Sequence, residues 1–250
     1  MDDIEYKIIK PNSSLSDFVE SFWMIANLSE ESKEIVVLPN ATIDISLSRS
    51  LSDPFHIMLM GLENEAGQTS LNPKMVIFAV SFKLLAIEYL LKTSIADLIN
   101  EGRQLSNDFW GFSEADLNDF DSFYLKASNK IKELIKDKID ERKRKLFDLI
   151  YSSNGALTVK ELSEKVYWNS RQINRYFNQQ FGISLKLYCT LLRFSASFNQ
   201  LNDGRLFPEQ NYTDQAHFIR EIKKFSGVAP GELSKNKNDR FIQLSALKKK

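Results

Sequence analysis

The chain has 250 residues, 43% of them hydrophobic and 26% charged, which excludes a wholly disordered or fibrous protein. Its 33 basic and 33 acidic residues cancel, and this zero net charge argues, for the chain as a whole, against a nucleic-acid partner. The single cysteine, Cys189, excludes an intrachain disulfide and a multi-cysteine metal site, as in proteins of a reducing compartment. The acidic N-terminus and the short apolar runs predict a cytoplasmic protein with no membrane contact.

The first hundred residues predict a β-rich domain. Residues 42–48 alternate polar and apolar side chains, which is the pattern of a strand with one buried face. We expect further strands at residues 35–38, 56–59 and 75–82, and helices at residues 84–91, 94–101 and 116–139. From about residue 142 onward the spacing of apolar residues is helical throughout.

The zero net charge is a sum of two opposite halves. Residues 1–140 contain 13 basic and 23 acidic residues, a net of −10, whereas residues 141–250 contain 20 basic and 10 acidic residues, a net of +10. Such asymmetry predicts two domains with different partners, divided at residues 140 and 141. The highly charged segment 136–145 contains no Gly/Ser linker, so we expect a helical or short connection.

The basic half contains the outline of a helix-turn-helix. Thr158 and Glu161 form a capping box in which each side chain can satisfy the other residue's exposed amide, and Gly155 can end the preceding helix in a left-handed conformation. Ser170 is expected to cap the next helix, at residues 171–179, whose inner face carries Ile173 and Phe177. The three residues between these helices match the turn of the motif.

The outward face of this second helix carries side chains that can bind base edges. Arg171, Asn174, Arg175 and Asn178 follow helical spacing and therefore lie on one stripe opposite the apolar residues. Arginine can donate two hydrogen bonds to guanine and asparagine can pair with adenine in the major groove. A solvated polar face of an ordinary amphipathic helix is the alternative interpretation.

A similar element follows 45 residues later. Thr213 or Asp214 can cap a helix at residues 215–224, whose apolar positions repeat the spacing of the first module. In this repeat, Arg220 corresponds to Arg175 and Lys223 to Asn178. A connecting helix at residues 185–202 would hold the two elements so that they enter successive major grooves, about 34 Å apart.

These residues resemble the AraC/XylS family of bacterial transcription regulators. The resemblance extends over residues 142–235 and is carried by Gly-Ile-Ser at 182–184, Arg-Phe-Ser-Ala at 193–196, YTDQAHFIRE at 212–221 and FSGVAP at 225–230. It implies an all-α domain with two helix-turn-helix modules that binds double-stranded DNA. DNA contacts are implied at Arg171, Arg175 and Arg220, with Gln172, Asn174, Asn178, Gln215, His217 and Lys223 beside them.

One segment departs from the family pattern. The first helix of the second module usually carries an apolar-Ala pair and is followed by Gly-Phe, whereas this chain has RLFPEQNY at 205–212. Because Pro208 cannot lie inside a helix without losing a hydrogen bond, we expect that helix to be short or to begin there. Asn211 stands in the glycine position and tolerates a left-handed turn.

The N-terminal half resembles, more weakly, the β-rich, barrel-like domain that often precedes such DNA-binding units. The resemblance is carried by Phe22-Trp23, Leu38-Pro39-Asn40 and the strand at residues 43–45. It implies that residues 1–140 bind a small-molecule effector or form a homodimer contact, although no effector site can be assigned from the sequence. The expected fold class is therefore α+β with two domains.

We expect a transcriptional regulator with no cofactor, no metal and no catalytic residues. Only two histidines are present, and no nucleophile elbow, phosphate-binding loop or zinc-protease motif occurs. Three alternatives stay open at this point: a protein-interaction module whose basic helices dock onto an acidic partner or the N-terminal half, a two-carboxylate hydrolase in that half, and masking of the DNA-binding surface by the N-terminal domain.

Overall fold

A computed structural model describes residues 3–248 and contains a β-rich N-terminal half followed by a helical C-terminal half, which confirms the predicted fold class. All the strands of residues 3–248 lie in the first half, and α-helices make up most of the second. The strands are β1 (Ile4–Ile9), β2 (Val19–Asn27), β3 (Lys33–Val37), β4 (Ile43–Arg49), β5 (His56–Met60), β6 (Gly67–Leu71), β7 (Val76–Phe82) and β8 (Gly102–Leu105).

The helices follow at α1 (Leu85–Tyr89), α2 (Phe120–Leu134), α3 (Glu141–Ser152), α4 (Val159–Val166), α5 (Ser170–Phe181), α6 (Leu185–Ala196), α7 (Phe198–Asn202), α8 (Gln215–Ser226), α9 (Pro230–Lys235) and α10 (Ile242–Lys248). Short 3-10 helices occupy Ser13–Leu15, Phe109–Gly111, Glu114–Asn118 and Lys237–Asp239. None of the helices within residues 3–248 combines the length and hydropathy that a bilayer crossing requires.

The strands form two antiparallel layers. Six strands pair in the order β1-β2-β7-β4-β5-β8, and β3 pairs with β6 in a two-stranded ribbon. Ile35 and Leu71 of the ribbon pack against Ile4 and Ile25 of the six-stranded sheet, so the ribbon lies against one face of that sheet. On the other face of the sheet, Ile45 and its buried neighbours pack in the main core. This burial of every second side chain accounts for the alternation of polar and apolar residues predicted for β4.

The strands that the sequence analysis missed are the ones with weak or mixed patterns. β1, β2 and β8 were not predicted, and β6 has the polar, mostly exposed sequence GQTSL. A polar strand of this kind carries almost no hydrophobic signal and is recognised only through its hydrogen bonds to a partner strand, here β3. Of the predicted strands, residues 56–59 and 75–82 match β5 and β7 closely.

Two predicted helices differ from the structure. The helix expected at residues 94–101 is wrong, because this segment forms turns in which the Ile95 amide donates to the Gln180 carbonyl of the other half, at 3.0 Å. The long helix expected at residues 116–139 is limited to α2, where Asp119 caps the first turn through the Ser122 amide. A 3-10 helix precedes it, and the chain leaves the helix after Leu134.

The connection between the two helix-turn-helix elements is also less regular than expected. The single helix predicted at residues 185–202 is interrupted at Ser197, whose buried hydroxyl donates to the Arg193 carbonyl at 2.9 Å. Such a bond to the residue four positions earlier bends helices. The expected helix near Pro208 is absent: residues 203–214 form turns, and the next helix of the described chain is α8.

One hydrophobic core extends through both halves of the molecule. It includes Phe22 and Ile45 of the β half together with Phe147 and Phe177 of the helical half. Polar contacts cross the same boundary, because the buried Tyr188 hydroxyl donates to the Ala41 carbonyl at 3.1 Å. The two halves therefore pack against each other through a shared core. The division of the chain into domains at residues 140 and 141 stays a prediction.

The last helix returns to the β half. The Val36 amide of β3 donates to the Arg240 carbonyl at 2.6 Å just before α10 begins. Gln243 of α10 then accepts from the Leu38 amide at 3.0 Å and donates to the Leu38 carbonyl at 2.8 Å. α10 therefore belongs to the helical half in sequence but closes one side of the β domain in space.

Candidate nucleic-acid interface and the cavity of the β domain

Of the two N-terminal caps predicted for the first helix-turn-helix, one is confirmed and one is wrong. The Thr158 hydroxyl accepts from the Glu161 amide at 3.2 Å, and the Glu161 carboxylate accepts from the Thr158 amide at 2.8 Å, so the capping box is confirmed. Tyr167 ends α4 in the left-handed conformation, with φ of 52°. The prediction that Ser170 caps α5 is wrong, because the cap is Asn169, whose side chain accepts from the Arg171 amide at 2.8 Å.

Helix α5 places most of the predicted base-reading side chains in solvent. Its apolar face, which includes Ile173 and Phe177, is fully buried. The side chains on the outer face that are exposed are Arg171, Gln172, Arg175 and Asn178. Asn174 is half-buried and donates to the Ser170 carbonyl at 3.1 Å, so its amide nitrogen is already engaged within the helix.

The cations of this face have no acidic partner. Within residues 3–248, no carboxylate lies within 4.0 Å of the Arg171 or Arg175 guanidinium. Arg205, an exposed arginine of the same half, is by contrast 2.8 Å from the Asp203 carboxylate. The two arginines of α5 therefore keep all their side-chain donors available for a ligand.

Helix α8 repeats this arrangement in part. Asp214 caps it by accepting from the His217 amide at 2.7 Å, which settles the choice between Thr213 and Asp214. Arg220 and Lys223 are exposed, and neither forms an ion pair with another described residue. Gln215, in contrast, is half-buried and donates to the Leu206 carbonyl at 2.8 Å.

His217 lies in an internal network. Its Nδ1 accepts from the Thr213 amide at 3.2 Å, and its Nε2 is 3.0 Å from the Glu221 carboxylate. Glu221 is in turn 3.6 Å from the Arg193 guanidinium, in a region where both side chains are largely buried. The contacts of His217 and Gln215 hold the first turn of α8 in place, and a role for either residue in binding DNA stays a prediction.

The inner end of α5 is fixed against the β half by a charged network that the sequence analysis did not identify. The Tyr176 hydroxyl donates to one oxygen of Glu88 on α1 at 2.8 Å, and Lys143 of α3 forms an ion pair with the other. The Lys143 ammonium also lies over the Tyr176 ring, 4.6 Å from its centroid. The only signal in the sequence is Tyr176 itself, an aromatic residue among the polar positions of α5.

Close backbone approach completes this junction. The Ser94 hydroxyl donates to the Gln179 carbonyl at 2.8 Å, beside the bond from the Ile95 amide to Gln180. Gly182 follows α5 with φ of 73°, and a Cβ atom there would lie 2.4 Å from the Ala96 carbonyl oxygen. The end of α5 therefore rests directly on the loop that was predicted to be helical.

A cavity of about 440 Å³ lies between the six-stranded sheet, the β3-β6 ribbon and α10. Its walls are mainly apolar, and the titratable side chains among its described lining residues are Tyr6, Asp44 and Glu63. Asp44 reaches it from the polar face of β4, and Glu63 follows β5. Pockets of this volume hold small molecules in other proteins.

Both carboxyl groups of the cavity have raised pKa values. Burial raises the pKa of Asp44 to about 6, and the hydrogen-bonding groups of Ser81, Thr42 and Trp23 offset part of the rise. Burial, together with the charge of Asp44, raises the pKa of Glu63 to about 7. Burial also raises the pKa of the Cys189 thiol to about 12, as expected for a buried structural cysteine.

A family model matches part of the N-terminal half. Residues 7–103, less than half of the chain, match the family model described as a domain of unknown function (DUF6597). A search of curated proteins gives no match.

The chain is also similar to solved structures of ToxT from Vibrio cholerae. One, from O395, is 15% identical, with 94% of this chain and 98% of that chain covered and a TM-score of 0.42. Another, in the P21 form, is 15% identical, with 93% and 98% covered and a TM-score of 0.43. ToxT from strain SCE256, with unsaturated fatty acid bound, is 12% identical, with 92% and 94% covered and a TM-score of 0.42. Because these TM-scores are below 0.5, function is inferred from the chain's own motifs and geometry.

Proposed function

We propose that the chain is a sequence-specific DNA-binding transcriptional regulator of the AraC/XylS type, with α5 and α8 reading adjacent major-groove segments. The observation that carries this proposal is the set of exposed cations on the two helices, none of which has a carboxylate partner among residues 3–248. Arg171 and Arg175 supply paired donors that match guanine, and Asn178 can pair with adenine. Arg220 and Lys223 provide the equivalent positions on α8.

The N-terminal end of α5 also suits a phosphate backbone. This helix has no acidic residue in its first turn and is capped by the neutral Asn169, so its free amide groups present a positive potential, whereas the Asp214 carboxylate offsets that potential at α8. Phosphate contacts of this kind position a protein on the duplex, whereas base contacts give specificity. The motifs YTDQAHFIRE and FSGVAP in and after α8 add independent support from the sequence.

The N-terminal domain would then bind the effector or form the dimer contact. Its cavity offers a place for a small molecule, and α10 connects that cavity to the helical half. Homodimerisation stays a prediction.

The rival function is a protein-interaction module whose basic helices bind an acidic partner. One form of it, docking onto the chain's own N-terminal half, is disfavoured by the geometry. The contacts of α5 with that half run through Tyr176 and Gln180, while Arg171 and Arg175 on the opposite side stay exposed. Because Arg171 and Arg175 are exposed, the N-terminal domain does not cover them in this structure, and the proposal does not require such masking.

The test is selection of preferred sites from random duplexes with the full-length chain, followed by affinity measurements on Arg171→Ala and Arg175→Ala. Each substitution is expected to weaken binding to the selected site by about 5- to 150-fold, because one bidentate base contact contributes about 1–3 kcal/mol. Arg205→Ala is the matched control, since it removes an exposed arginine that is already paired with Asp203. We expect it to change the affinity by less than about threefold.

Two results would overturn the proposal in different ways. Absence of salt-dependent DNA binding by the folded chain at low ionic strength would favour the protein-interaction module. An equal loss of affinity for selected and random DNA in both arginine variants would leave a phosphate-binding role but remove base reading. Folding of each variant is checked by its thermal unfolding transition.

A further inference from the structure

The cavity of the β domain combines apolar walls with an uncompensated pair of acids. Ile25, Ile35 and Ile77 line it from three strands, and Met60 and Met75 add flexible apolar surface. Against these walls stand Asp44 and Glu63, and no lysine, arginine or histidine occurs among the described residues around the cavity. Two carboxylates in such surroundings are costly to ionise unless a cation accompanies them.

The two carboxylates differ in the hydrogen bonds that they accept from the protein. The Thr42 hydroxyl donates to the Asp44 carboxylate at 3.5 Å. Glu63 is different, because no residue in the described range donates a hydrogen bond or forms an ion pair with its carboxylate. The Glu63 carboxylate, which lines the same cavity, is therefore available to accept hydrogen bonds from a ligand.

An aromatic ring stands beside the acids. The Trp23 indole lines the cavity, and its N–H donates to the Ser81 hydroxyl at 2.9 Å, which fixes the orientation of the ring. The ring adds aromatic surface to the cavity that holds the two carboxylates. Carboxylates beside apolar and aromatic walls form the kind of site that holds an organic ammonium group.

We propose that this cavity binds an organic cation, a small molecule with an ammonium head held by Asp44 and Glu63 and an apolar body lying along the isoleucine and methionine walls. A carboxylate ligand would bring a third negative charge to the site, and a neutral alcohol would leave both acids without a counter-charge. The site thus discriminates ligands by the charge of their head group.

Residues of the helical half also line the cavity. Ile242 and Leu247 of α10 and Phe198 of α7 line the same space. A ligand in the cavity therefore contacts both the strands and the segment that leads from the first helix-turn-helix to the second. That binding changes DNA affinity is the part of this inference that rests on the proposed function; the binding itself does not.

The test uses the full-length chain and three probes with one tail and different heads: octylamine, which is protonated at pH 7.5, 1-octanol and octanoate. Binding is measured by calorimetry and by the change in tryptophan fluorescence, with Trp23→Phe identifying the signal from the cavity. Octylamine is expected to bind at least tenfold more tightly than octanol, and octanoate most weakly. Octylamine binding no tighter than octanol binding would overturn the proposal.

Charge-removing variants locate the head group. Glu63→Gln and Asp44→Asn are each expected to weaken octylamine at least tenfold while leaving octanol within about threefold. Glu65→Gln removes an exposed carboxylate from the same loop and is expected to leave both affinities unchanged. Unchanged octylamine affinity in folded Glu63→Gln would overturn the proposal, even if Asp44→Asn failed to fold. DNA affinity measured without any probe reports separately on the proposed regulator function.

Discussion

The two acids of the cavity predict that the protein loses stability as the pH rises from 4 to 8. Burial raises the pKa of Asp44 to about 6 and that of Glu63 to about 7. In the unfolded chain both groups titrate near their ordinary values of 3.8 and 4.5. Between these limits the folded state holds protons that the unfolded state has released, and the free energy of unfolding falls with increasing pH.

The size of the effect follows from the shifts. Each unit of pKa shift corresponds to about 1.36 kcal/mol, so the rise at Asp44 amounts to about 3 kcal/mol once the pH exceeds the folded-state pKa. Part of this loss has already occurred at pH 4. We therefore expect wild-type protein to lose about 2–3 kcal/mol between pH 4 and pH 8 relative to Asp44→Asn. The loss at Glu63 is similar in size, and the two groups titrate as a coupled pair.

The measurement is equilibrium unfolding in urea at half-unit pH intervals, for wild-type protein and for Asp44→Asn, Glu63→Gln and Glu65→Gln. The first two variants are expected to be more stable than wild type at pH 8 and nearly equal to it at pH 4. Glu65→Gln carries the same charge change on an exposed side chain and should follow the wild-type curve. A difference between wild type and Asp44→Asn that stays constant with pH, or grows in favour of wild type, would refute the reasoning.

Two further predictions concern the packing of the helical half. Tyr176→Phe removes the hydroxyl that donates to Glu88 and is expected to cost about 1–3 kcal/mol in urea unfolding, whereas Tyr167→Phe, at a side chain that is 88% exposed, should have no measurable effect. Gly155→Ala and Gly204→Ala both place an alanine in a left-handed backbone conformation. The Cβ atom of the first would lie 2.2 Å from the Cys189 carbonyl oxygen, whereas the Cβ atom of the second would have no neighbour within 4 Å. The first should therefore cost at least about 2 kcal/mol more than the second, and equal costs would show that only the backbone conformation matters.

Sequence reasoning worked best where the signals are local. The capping box of Thr158 and Glu161 spans four residues and needs no tertiary partner, and Gly155 adopts the predicted left-handed conformation, with φ of 69°. The stripe of Arg171, Arg175 and Asn178 follows from helical periodicity alone, and the structure leaves all three exposed. The change of charge sign near residue 141 is equally visible in the bare sequence.

It failed where a segment is held by a distant partner. The loop at residues 94–101 has helical spacing, but its backbone donors are taken by the end of α5, and β6 is a strand only because β3 lies beside it. Asn174 and Gln215 have the right chemistry for bases and also donate to the chain's own carbonyls, so their contact with DNA stays a prediction. Propensity and spacing describe what a segment could form, and hydrogen bonds to a distant partner decide what it does form.

The sequence by itself determined the fold class, the capping box of α4, the basic face of α5 and the opposite charges of the two halves. The tertiary structure alone decided that Asp44, on the polar face of a predicted strand, lines a cavity. It alone joined Glu88 to Tyr176 across 88 residues and brought α10 back onto β3. The physical reason is that caps and amphipathic faces arise from residues three or four apart, whereas cavities and junctions arise from residues that only the folded chain brings together.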